Sequence, residues 1–459
     1  MDFDVVIIGG GPGGYVSGIR ASQLGLKVAI IERENVGGTC LNKGCIPTKA
    51  LLQSAKVKHI VEKSSEFGIN ANVESIDFMK IVERAKNVVS GLNKGVLGLL
   101  SKNNIKLIKG TAKFIDKNTL SIDDREKVSA KNIVIATGAK PRILPGISDD
   151  LIKKGLVWTS TEAMFSNRRP EKILIVGSGA IGIEFASFYN TLGSDITIVE
   201  IQGRILIQED EEISKAALNS FKSQGMKILT NTSASNFIED NGKLSVEING
   251  QKEIFDVCIL AIGVVPNTKD LNLENIGIQT NKNGTIIVDD YLESSIPGIY
   301  AIGDVVNVPW LAHKASKEGI LCAERIAGLS NIYPIDLKKI PACTYSNPQI
   351  ASIGMTEKSA RDEGIDIKIG RSYFRGNGKA LAVGESFGFV KVIFDSKTRE
   401  ILGAHMIGHE VTELLPIFSV AITGELTADE LIMSVFPHPT MSECIQESVM
   451  EAFGIGIHA

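Results

Sequence analysis

The sequence lacks the features that mark several large classes of protein. It has no apolar run of the ~20 residues that a membrane-spanning helix requires, and no basic and apolar leader of the kind that directs secretion. With only 14 prolines and 22% charged residues among 459, it contains no tract predicted to be disordered. The formal net charge of -4 gives no general attraction to nucleic acid or to an anionic membrane. We therefore expect a globular protein of several domains, without a nucleic-acid or membrane partner.

Cysteine is also scarce. Six cysteines are too few for a disulfide framework in a chain of this length. With the missing leader, this predicts a reducing compartment, either the bacterial cytoplasm or, in a eukaryote, the mitochondrial matrix. Four cysteines lie far apart without metal-ligand spacing and are predicted to be structural, since free cysteine behaves as a small buried hydrophobe: Cys258, Cys322, Cys343 and Cys444. The other two, Cys40 and Cys45, have only four residues between them.

Glycine, in contrast, occurs in a pattern that indicates a dinucleotide site. Residues 4–8 form an apolar, β-branched run that ends at Gly9, and a helical pattern follows over residues 15–24. Gly9, Gly11 and Gly14 have the G-x-G-x-x-G spacing, in which glycines permit the tight turn, the approach of a pyrophosphate and close helix packing. A second predicted strand ends at Glu32, whose carboxylate can accept hydrogen bonds from ribose hydroxyls.

The same strand, glycine turn and helix recur in the middle of the chain. Gly177, Gly179 and Gly182 follow the predicted strand at residues 172–176, and a strand at 196–199 ends at Glu200. Because a carboxylate there would repel a 2'-phosphate, NAD is predicted rather than NADP. Arg204 could contact such a phosphate, which leaves NADP as an alternative. Two units of this kind predict two parallel, doubly wound domains, each holding one nucleotide.

Beyond about residue 340 the pattern changes. Alternating strands, such as residues 388–394, occur with helices predicted at residues 410–423 and 442–452. A separate α+β domain is therefore predicted for the C-terminal quarter. The predicted fold class is α/β, with two Rossmann-like doubly wound nucleotide-binding domains followed by this α+β domain.

The spacing of Cys40 and Cys45 favours redox chemistry. A regular helix advances ~1.5 Å per residue, so five residues would separate their Cα atoms by ~7.5 Å. A disulfide needs these atoms within about 7 Å. For the two to pair, the backbone must depart from a regular helix, and Gly44 and Pro47 allow that departure. A distorted bridge beside a helix N-terminus is easily reduced, which favours thiol–disulfide exchange over two unrelated buried thiols.

Residues 37–49, GGTCLNKGCIPTK, resemble the redox motif of the pyridine nucleotide-disulfide oxidoreductases, a flavoprotein family. The resemblance spans almost the whole chain. Residues 298–304 resemble the second FAD motif of the family, and residues 311–315 follow it as they do there. The resemblance implies FAD at Gly9, Gly11, Gly14, Glu32, Thr39, Lys49, Thr137, Gly138, Asp304 and Ala312. It implies NAD at Gly177, Gly179, Gly182, Glu184, Glu200 and Gly263.

A histidine near the C-terminus is followed five residues later by a glutamate. His438 and Glu443 lie in the stretch HPTMSE, which is similar to the C-terminal motif of the family and is typical of a base held in one tautomer by a carboxylate. The resemblance implies that His438 acts from the other subunit of a homodimer on a dihydrolipoyl thiol. It also implies that Cys40 is the interchange thiol, that Cys45 faces the flavin, and that hydride passes to NAD+. Lys49 and Glu184 would pair near the flavin.

The resemblance also implies domain bounds and partners. We expect an FAD domain at residues 1–145, an NAD domain at 146–275, a segment completing the FAD domain at 276–339 and a dimerisation domain at 340–459. The expected partners are lipoyl domains of acyltransferases or the carrier protein of glycine cleavage, and the sequence leaves open which complex is served.

Other functions fit the sequence less well. Glutathione and trypanothione reductases carry arginines where this chain has Glu200 to Gln202. Mercuric reductases end in a cysteine pair, and soluble transhydrogenases lack the first pair. A non-catalytic scaffold would need neither the cysteine pair nor His438. Lys43, between the two cysteines, either favours a thiolate or is a solvated lysine of no consequence.

Overall fold

The computed structural model describes residues 1–458. Its first part is a seven-stranded sheet in the order β3-β2-β1-β6-β5-β4, with β17 beside β6. The strands are β1 (Phe3–Ile8), β2 (Val28–Glu32), β3 (Lys106–Lys109), β4 (Ala112–Asp116), β5 (Thr119–Ile122) and β6 (Glu126–Ile135). The helices of this part are α1 (Pro12–Gln23), α2 (Gly38–Lys43), α3 (Cys45–Glu62) and α4 (Phe78–Lys102). Strands β3, β2, β1 and β6 are parallel neighbours, as a doubly wound unit requires.

The second part is a five-stranded parallel sheet in the order β11-β10-β9-β15-β8. The strands of this part are β7 (Ala139–Pro141), β8 (Val157–Trp158), β9 (Lys172–Val176), β10 (Asp195–Val199), β11 (Lys227–Leu229), β12 (Ala234–Asp240), β13 (Lys243–Ile248), β14 (Gln251–Phe255), β15 (Val257–Leu260) and β16 (Val264–Pro266). The helices are α5 (Asp149–Lys153), α6 (Ser160–Met164), α7 (Ala180–Thr191) and α8 (Glu211–Ser223). Strands β12 to β14 form a separate antiparallel sheet, and β7 pairs with β16.

The chain then returns to the first sheet. Strand β17 (Ile299–Ala301) lies parallel to β6, and helix α9 (Ala312–Ile326) packs on α1. The last part is an antiparallel sheet in the order β18-β19-β22-β21-β20. Its strands are β18 (Ala342–Thr344), β19 (Gln349–Gly354), β20 (Ile367–Tyr373), β21 (Gly388–Asp395) and β22 (Ile401–Gly408). Its helices are α10 (Glu357–Asp362), α11 (Gly378–Ala382), α12 (Val411–Thr423), α13 (Ala428–Met433) and α14 (Glu443–Ala452).

These three parts confirm the predicted fold class. Both predicted strand, turn and helix units are present, and the C-terminal part mixes helices with antiparallel strands. Helix α1 begins at Pro12, three residues before the predicted helix, because proline is well suited to the first turn. Helices α12 and α14 each begin one residue after the predicted start. The four domain bounds given above remain predictions.

Apolar side chains between the sheets and helices form the core. In β1 every residue but Asp4 is buried, as expected for a central parallel strand covered on both faces. One cluster joins α3 and α4 to the helices and strands of the second sheet, and reaches Ile350, Phe389 and Ile407 in the last sheet. Helix α3, which begins at Cys45, is therefore held by all three parts. Over residues 1–458, none of the helices combines the length and apolar character needed to cross a membrane.

Candidate active site

Cys40 and Cys45 lie on either side of a break between two helices. Helix α2 ends at Lys43, Gly44 has φ -151° and ψ -112°, and α3 begins at Cys45. The predicted departure from a regular helix is thus present, and it occurs at Gly44. Both cysteines are free, partly buried thiols here, and each affects the pKa of the other.

The two thiols differ in acidity because of what surrounds them. A hydrogen bond from Cys40 lowers the pKa of Cys45 to about 7, and the charge of Lys49 acts in the same direction. The same hydrogen bond, together with burial, raises the pKa of Cys40. When the reduced pair loses one proton, the Cys45 sulfur is therefore the favoured site of the negative charge, beside the cation of Lys49.

Lys49 lies one turn further along α3 and joins two other parts of the chain. Its ammonium is 2.9 and 3.0 Å from the two carboxylate oxygens of Glu184 on α7, which is 5% exposed. The ring centroid of Tyr345 is 4.5 Å from the same ammonium, and the Tyr345 backbone N–H donates to Glu184 at 2.9 Å. The predicted Lys49–Glu184 pair is present, while Tyr345, from the segment after β18, was not foreseen.

Lys43 does not take part in this arrangement. Its ammonium pairs with Glu34, and the two side chains are 41% and 50% exposed. The charge that acts on the Cys45 thiol comes from Lys49 instead. Of the two interpretations of Lys43, the structure favours a lysine at the protein surface.

The first glycine turn has the backbone geometry that a pyrophosphate site requires. A Cβ on Gly14 would lie 1.9 Å from the carbonyl oxygen of Gly9, so no larger residue fits where α1 leaves β1. The backbone N–H of Gly10 donates to Glu32 at 2.7 Å, which fixes this carboxylate at the end of β2. Gly11 lies close to the segment that leads to the cysteines: a Cβ built on Gly38 would lie 2.6 Å from the Cα of Gly11.

The expected second FAD motif lies at the carboxyl end of β17, near this turn. Burial raises the pKa of Asp304, and the ammonium of Lys314 partly offsets that effect. Lys314 is 1% exposed and lies 2.7 Å from Glu318, but its ammonium makes no hydrogen bond of good geometry. A buried cation with unused donors beside a buried carboxyl group suits a polar ligand with phosphate and hydroxyl groups, so the residues present fit FAD.

The remaining residues predicted to bind FAD lie around the same region. Thr39 is in α2, beside Cys40, and Ala312 is the first residue of α9. Thr137 faces the second part of the chain, since its hydroxyl donates to the carbonyl oxygen of Asn267 at 2.8 Å. Gly138, next to it, has φ +64°, a conformation that favours glycine.

The second glycine turn repeats the first in detail. A Cβ on Gly182 would lie 2.2 Å from the carbonyl oxygen of Gly177. Glu200 accepts hydrogen bonds from the backbone N–H and the hydroxyl of Ser178, at 2.9 and 2.7 Å. No atom lies within 4 Å of a Cβ built on Gly179, nor of one built on Gly263 across the turn. The turn is therefore open to a ligand.

The guanidinium of Arg204 is held by carbonyl oxygens of its own loop. Its guanidinium donates to the carbonyl oxygens of Ile207 at 2.9 Å and Glu209 at 2.8 Å, so it folds back on its own loop. Glu200 is left as the charged side chain at the end of β10. This arrangement fits NAD rather than NADP.

The histidine–glutamate pair predicted near the C-terminus is present. His438 Nδ1 lies 2.9 Å from Glu443 Oε1, and Glu443 Oε2 accepts from the backbone N–H of Thr440 at 2.8 Å. The His438 side chain is 78% exposed. Within residues 1–458 no hydrogen bond or ion pair joins it to Cys40 or Cys45. In one subunit, the structure therefore presents the His438 ring at the surface.

A second histidine–glutamate pair was missed. His458 Nδ1 lies 2.9 Å from Glu447 Oε1, one turn after Glu443 on α14. The glutamate precedes its histidine by eleven residues, so a search for a carboxylate shortly after each histidine could not find it.

The other cysteines were predicted to be structural. Cys258, Cys322 and Cys444 are buried, whereas Cys343 is only partly so. Residues 1–458 contain no group of three or more histidine, cysteine or acidic side chains placed to hold a metal ion.

Comparison with known proteins identifies relatives over the full chain. Residues 3–319 match the family model described as pyridine nucleotide-disulphide oxidoreductase, and residues 340–449 match the dimerisation domain of the same family. A Rhizobium etli protein named dihydrolipoyl dehydrogenase is 45% identical, covering 100% of this chain and 99% of its own. A Zymomonas mobilis protein of the same name is 43% identical, covering 99% of each chain.

Solved structures agree. The flavoprotein disulfide reductase RclA of Escherichia coli, described as HOCl-induced, superposes with a TM-score of 0.88 at 28% identity, over 97% of this chain and 99% of its own. LpdA of Mycobacterium tuberculosis gives a TM-score of 0.91 at 25% identity, over 97% and 98% of the two chains.

Proposed function

The chain belongs to the pyridine nucleotide-disulphide oxidoreductase family, and on that premise we propose that it is a dihydrolipoyl dehydrogenase. It is an oxidoreductase of the disulfide class that uses FAD and NAD, and its dimerisation domain supports a homodimer. The observation that carries the proposal is the adjacent pair Cys40 and Cys45, with the Cys45 thiolate favoured by Lys49. Full-length relatives at 43% and 45% identity with that name support the choice of substrate.

The first glycine turn, Asp304 and the start of α9 would hold FAD, with Thr39, Lys49, Thr137, Gly138 and Ala312 around it. Bound there, FAD would supply the two-electron redox chemistry that links the dithiol to NAD+. Lys49, held by Glu184, supplies a positive charge that acts on the Cys45 thiol. The Lys49–Glu184 ion pair is partly buried, so its charges are less screened by salt and solvent than those of a surface pair.

Thiol exchange is assigned to the two cysteines and a base. His438 of the other subunit takes a proton from one dihydrolipoyl thiol, and Glu443 holds the imidazole in the tautomer that accepts it. The resulting thiolate attacks the Cys40 sulfur of the oxidised pair, the bond between Cys40 and Cys45 breaks, and Cys45 leaves as a thiolate. The second dihydrolipoyl thiol then displaces Cys40, which takes up a proton, and oxidised lipoyl departs. Lys49 and the Cys40 thiol stabilise the negative charge on Cys45.

NAD is assigned to the second turn at Gly177, Gly179 and Gly182. Glu200 would accept hydrogen bonds from the ribose hydroxyls there, while Arg204 donates to carbonyl oxygens of its own loop. Gly263 lies across the turn, where no side chain would obstruct the nucleotide.

The partners proposed are the lipoyl domains of 2-oxoacid dehydrogenase acyltransferases or the carrier protein of glycine cleavage. The compartment proposed is the cytoplasm, or the mitochondrial matrix in a eukaryote. Among the relatives are bacterial proteins and one from Arabidopsis thaliana that is named mitochondrial.

The test is to supply the FAD-loaded protein with dihydrolipoamide and NAD+ and to follow NADH by absorbance. We expect NADH formation in the wild type. In Cys45→Ser the rate should fall by a factor of ~10³ or more, because the disulfide between residues 40 and 45 cannot form. Cys258→Ala, which removes a fully buried thiol in β15, is the matched control and should retain turnover.

Two other outcomes would contradict the proposal. Activity only with NADPH and oxidised glutathione would keep the fold and the cysteine pair but replace both substrate and nucleotide. Undiminished turnover in Cys45→Ser would indicate that the cysteine pair is not the redox centre.

A further inference from the structure

Lys391, in the middle of strand β21, is a buried cation outside the proposed active site. It is 1% exposed, and its ammonium lies 2.9 Å from Asp210, 2.9 Å from Glu212 and 2.8 Å from Glu357. An ammonium has three donors, so each of its protons is directed at a different carboxylate. The group is fully satisfied, which fixes its position closely.

The three carboxylates come from different parts of the chain. Glu357 begins α10 in the C-terminal part, close to Lys391 in the fold, whereas Asp210 and Glu212 belong to the start of α8 in the second nucleotide unit. Asp210 caps α8 by accepting from the Glu212 N–H at 3.0 Å, and also accepts from the Glu357 N–H at 3.1 Å. Lys391 and its carboxylates therefore connect the second nucleotide unit to the C-terminal sheet.

Charge in this cluster is balanced. Arg371 on β20 makes two hydrogen bonds to Glu212, and Arg361 makes two to Glu357. The cluster consists of three cations and three carboxylates: Lys391, Arg371, Arg361, Asp210, Glu212 and Glu357. Burying Lys391 and Asp210, which are 1% and 2% exposed, costs desolvation energy that a hydrophobic contact would avoid, so the pair is better explained by a fixed arrangement than by stability.

The cluster holds one end of the segment that carries Glu200, because Lys391 contacts Asp210. Residues 200–210, here called the ribose loop, begin at Glu200 and end at Asp210. The backbone N–H of Leu206 in this loop donates to the carbonyl oxygen of Ser178 in the second glycine turn at 3.1 Å. Arg204 ties the loop to itself through the carbonyl oxygens of Ile207 and Glu209. The loop is thus fastened to the glycine turn on one side and to Lys391 on the other.

We propose that Lys391 is a positioning residue for NAD, which anchors the ribose loop to the C-terminal sheet so that Glu200 and the glycine turn are held in their binding geometry. The inference rests on the assignment of NAD to the second turn. It touches neither the cysteines nor FAD, so the thiol half of the reaction is independent of it.

Two variants that alter the same ammonium in the same way provide the test. Glu212→Gln removes a carboxylate on the nucleotide side of Lys391, and Glu357→Gln removes one on the C-terminal side. We expect Glu212→Gln to raise the Kd of the FAD-loaded dimer for NAD+ by about threefold or more, the usual size of a coupling through a packed network. Glu357→Gln should leave that Kd unchanged. Titration calorimetry with NAD+ measures both.

Steady-state kinetics supply a second readout. Glu212→Gln should raise KM for NAD+ and leave KM for dihydrolipoamide unchanged, and Lys391→Met should show the same split more strongly, with Lys391→Arg partly restoring the wild-type value. If Lys391→Met does not fold, the comparison of the two glutamine variants decides.

Several results would overturn the inference. Equal Kd values for the two glutamine variants, whether raised or unchanged, would show that Lys391 does not act through the ribose loop. A lowered Tm without any change in Kd would show that the cluster serves stability alone. Failure of the wild type to bind NAD+ would remove the proposed function as well, which separates that outcome from the others.

Discussion

The two glycine turns of this protein have the same backbone and different surroundings. In each, a third glycine packs against the carbonyl oxygen of the first, at Gly14 and at Gly182. In each, a carboxylate at the end of the next strand accepts from a backbone N–H in the turn, Glu32 from Gly10 and Glu200 from Ser178. The strand, turn and helix are therefore set by local sequence in both units.

What covers the turns differs. Helix α9 packs on α1 so closely that a Cβ on Gly319 would lie 2.5 Å from the carbonyl oxygen of Gly13. The segment before the cysteines closes the other side at Gly38. The second turn has no such cover: Gly179 and Ala180 are exposed, and Ile181 is 41% exposed.

The covered first turn suits a cofactor that stays bound, and the open second turn suits one that exchanges. A nucleotide in the first turn would be enclosed by α9 and by the cysteine segment, and it could leave only if packed elements moved apart. A nucleotide in the second turn could enter and leave without such a movement. The difference matches the roles of FAD and NAD in a reaction where one is retained and the other is consumed.

The largest effect is expected where the cover of the first turn is broken. Gly319→Ala places a Cβ 2.5 Å from one backbone atom and 3.1 Å from another, the Ser17 nitrogen. Since backbone cannot yield cheaply, we expect the free energy of unfolding to fall by about 1–3 kcal/mol and FAD to be lost on dialysis. Thermal unfolding and the flavin absorbance of the dialysed protein measure the two effects.

A matched glycine in α4 provides the control. No atom lies within 4 Å of a Cβ on Gly91, so Gly91→Ala should stabilise the helix by about 0.5–1 kcal/mol and leave FAD in place. If Gly319→Ala retains FAD as firmly as Gly91→Ala, enclosure by α9 does not hold the cofactor.

A smaller, more selective effect is expected at the open turn. In Gly179→Ala the added Cβ has no protein atom within 4 Å. The Tm should therefore change no more than it does in Gly91→Ala, and FAD should be retained. Because the added methyl group lies where a pyrophosphate approaches the backbone, the Kd for NAD+ should rise by about tenfold, or about 1.4 kcal/mol. Calorimetric titration of the holoenzyme tests this, and an unchanged Kd would place the nucleotide elsewhere.

Sequence alone predicted those parts of the protein that depend on local rules. The glycine spacings gave both turns, and the need to bring Cys40 and Cys45 together gave the break at Gly44. The pair His438 and Glu443 was predictable because its members are close in sequence and match a motif.

Features that depend on the folded neighbourhood were not predictable. Lys391 meets Asp210 across 181 positions, and neither residue belongs to a motif. Tyr345 reaches Lys49 only because β18 packs near α7. From the sequence, Arg204 could have contacted the 2'-phosphate of NADP. In the structure its guanidinium donates to carbonyl oxygens of its own loop, which favours NAD.

The smallest effect is expected from Lys43, in the segment that covers the first turn. Its pair with Glu34, whose side chains are 41% and 50% exposed, should be worth no more than about 1 kcal/mol, and the cation that acts on the Cys45 thiol is Lys49. In the reduced holoenzyme, alkylation of Cys45 should rise as pH increases through about 7, because its lowered pKa yields thiolate above that value. Lys43→Met should leave this midpoint unchanged. Lys49→Met should move it to higher pH, since the thiolate loses its neighbouring cation. A midpoint that shifts equally in both variants would mean that Lys43 also acts on the thiol, and the cover of the first turn would then tune the redox centre as well as enclose the flavin.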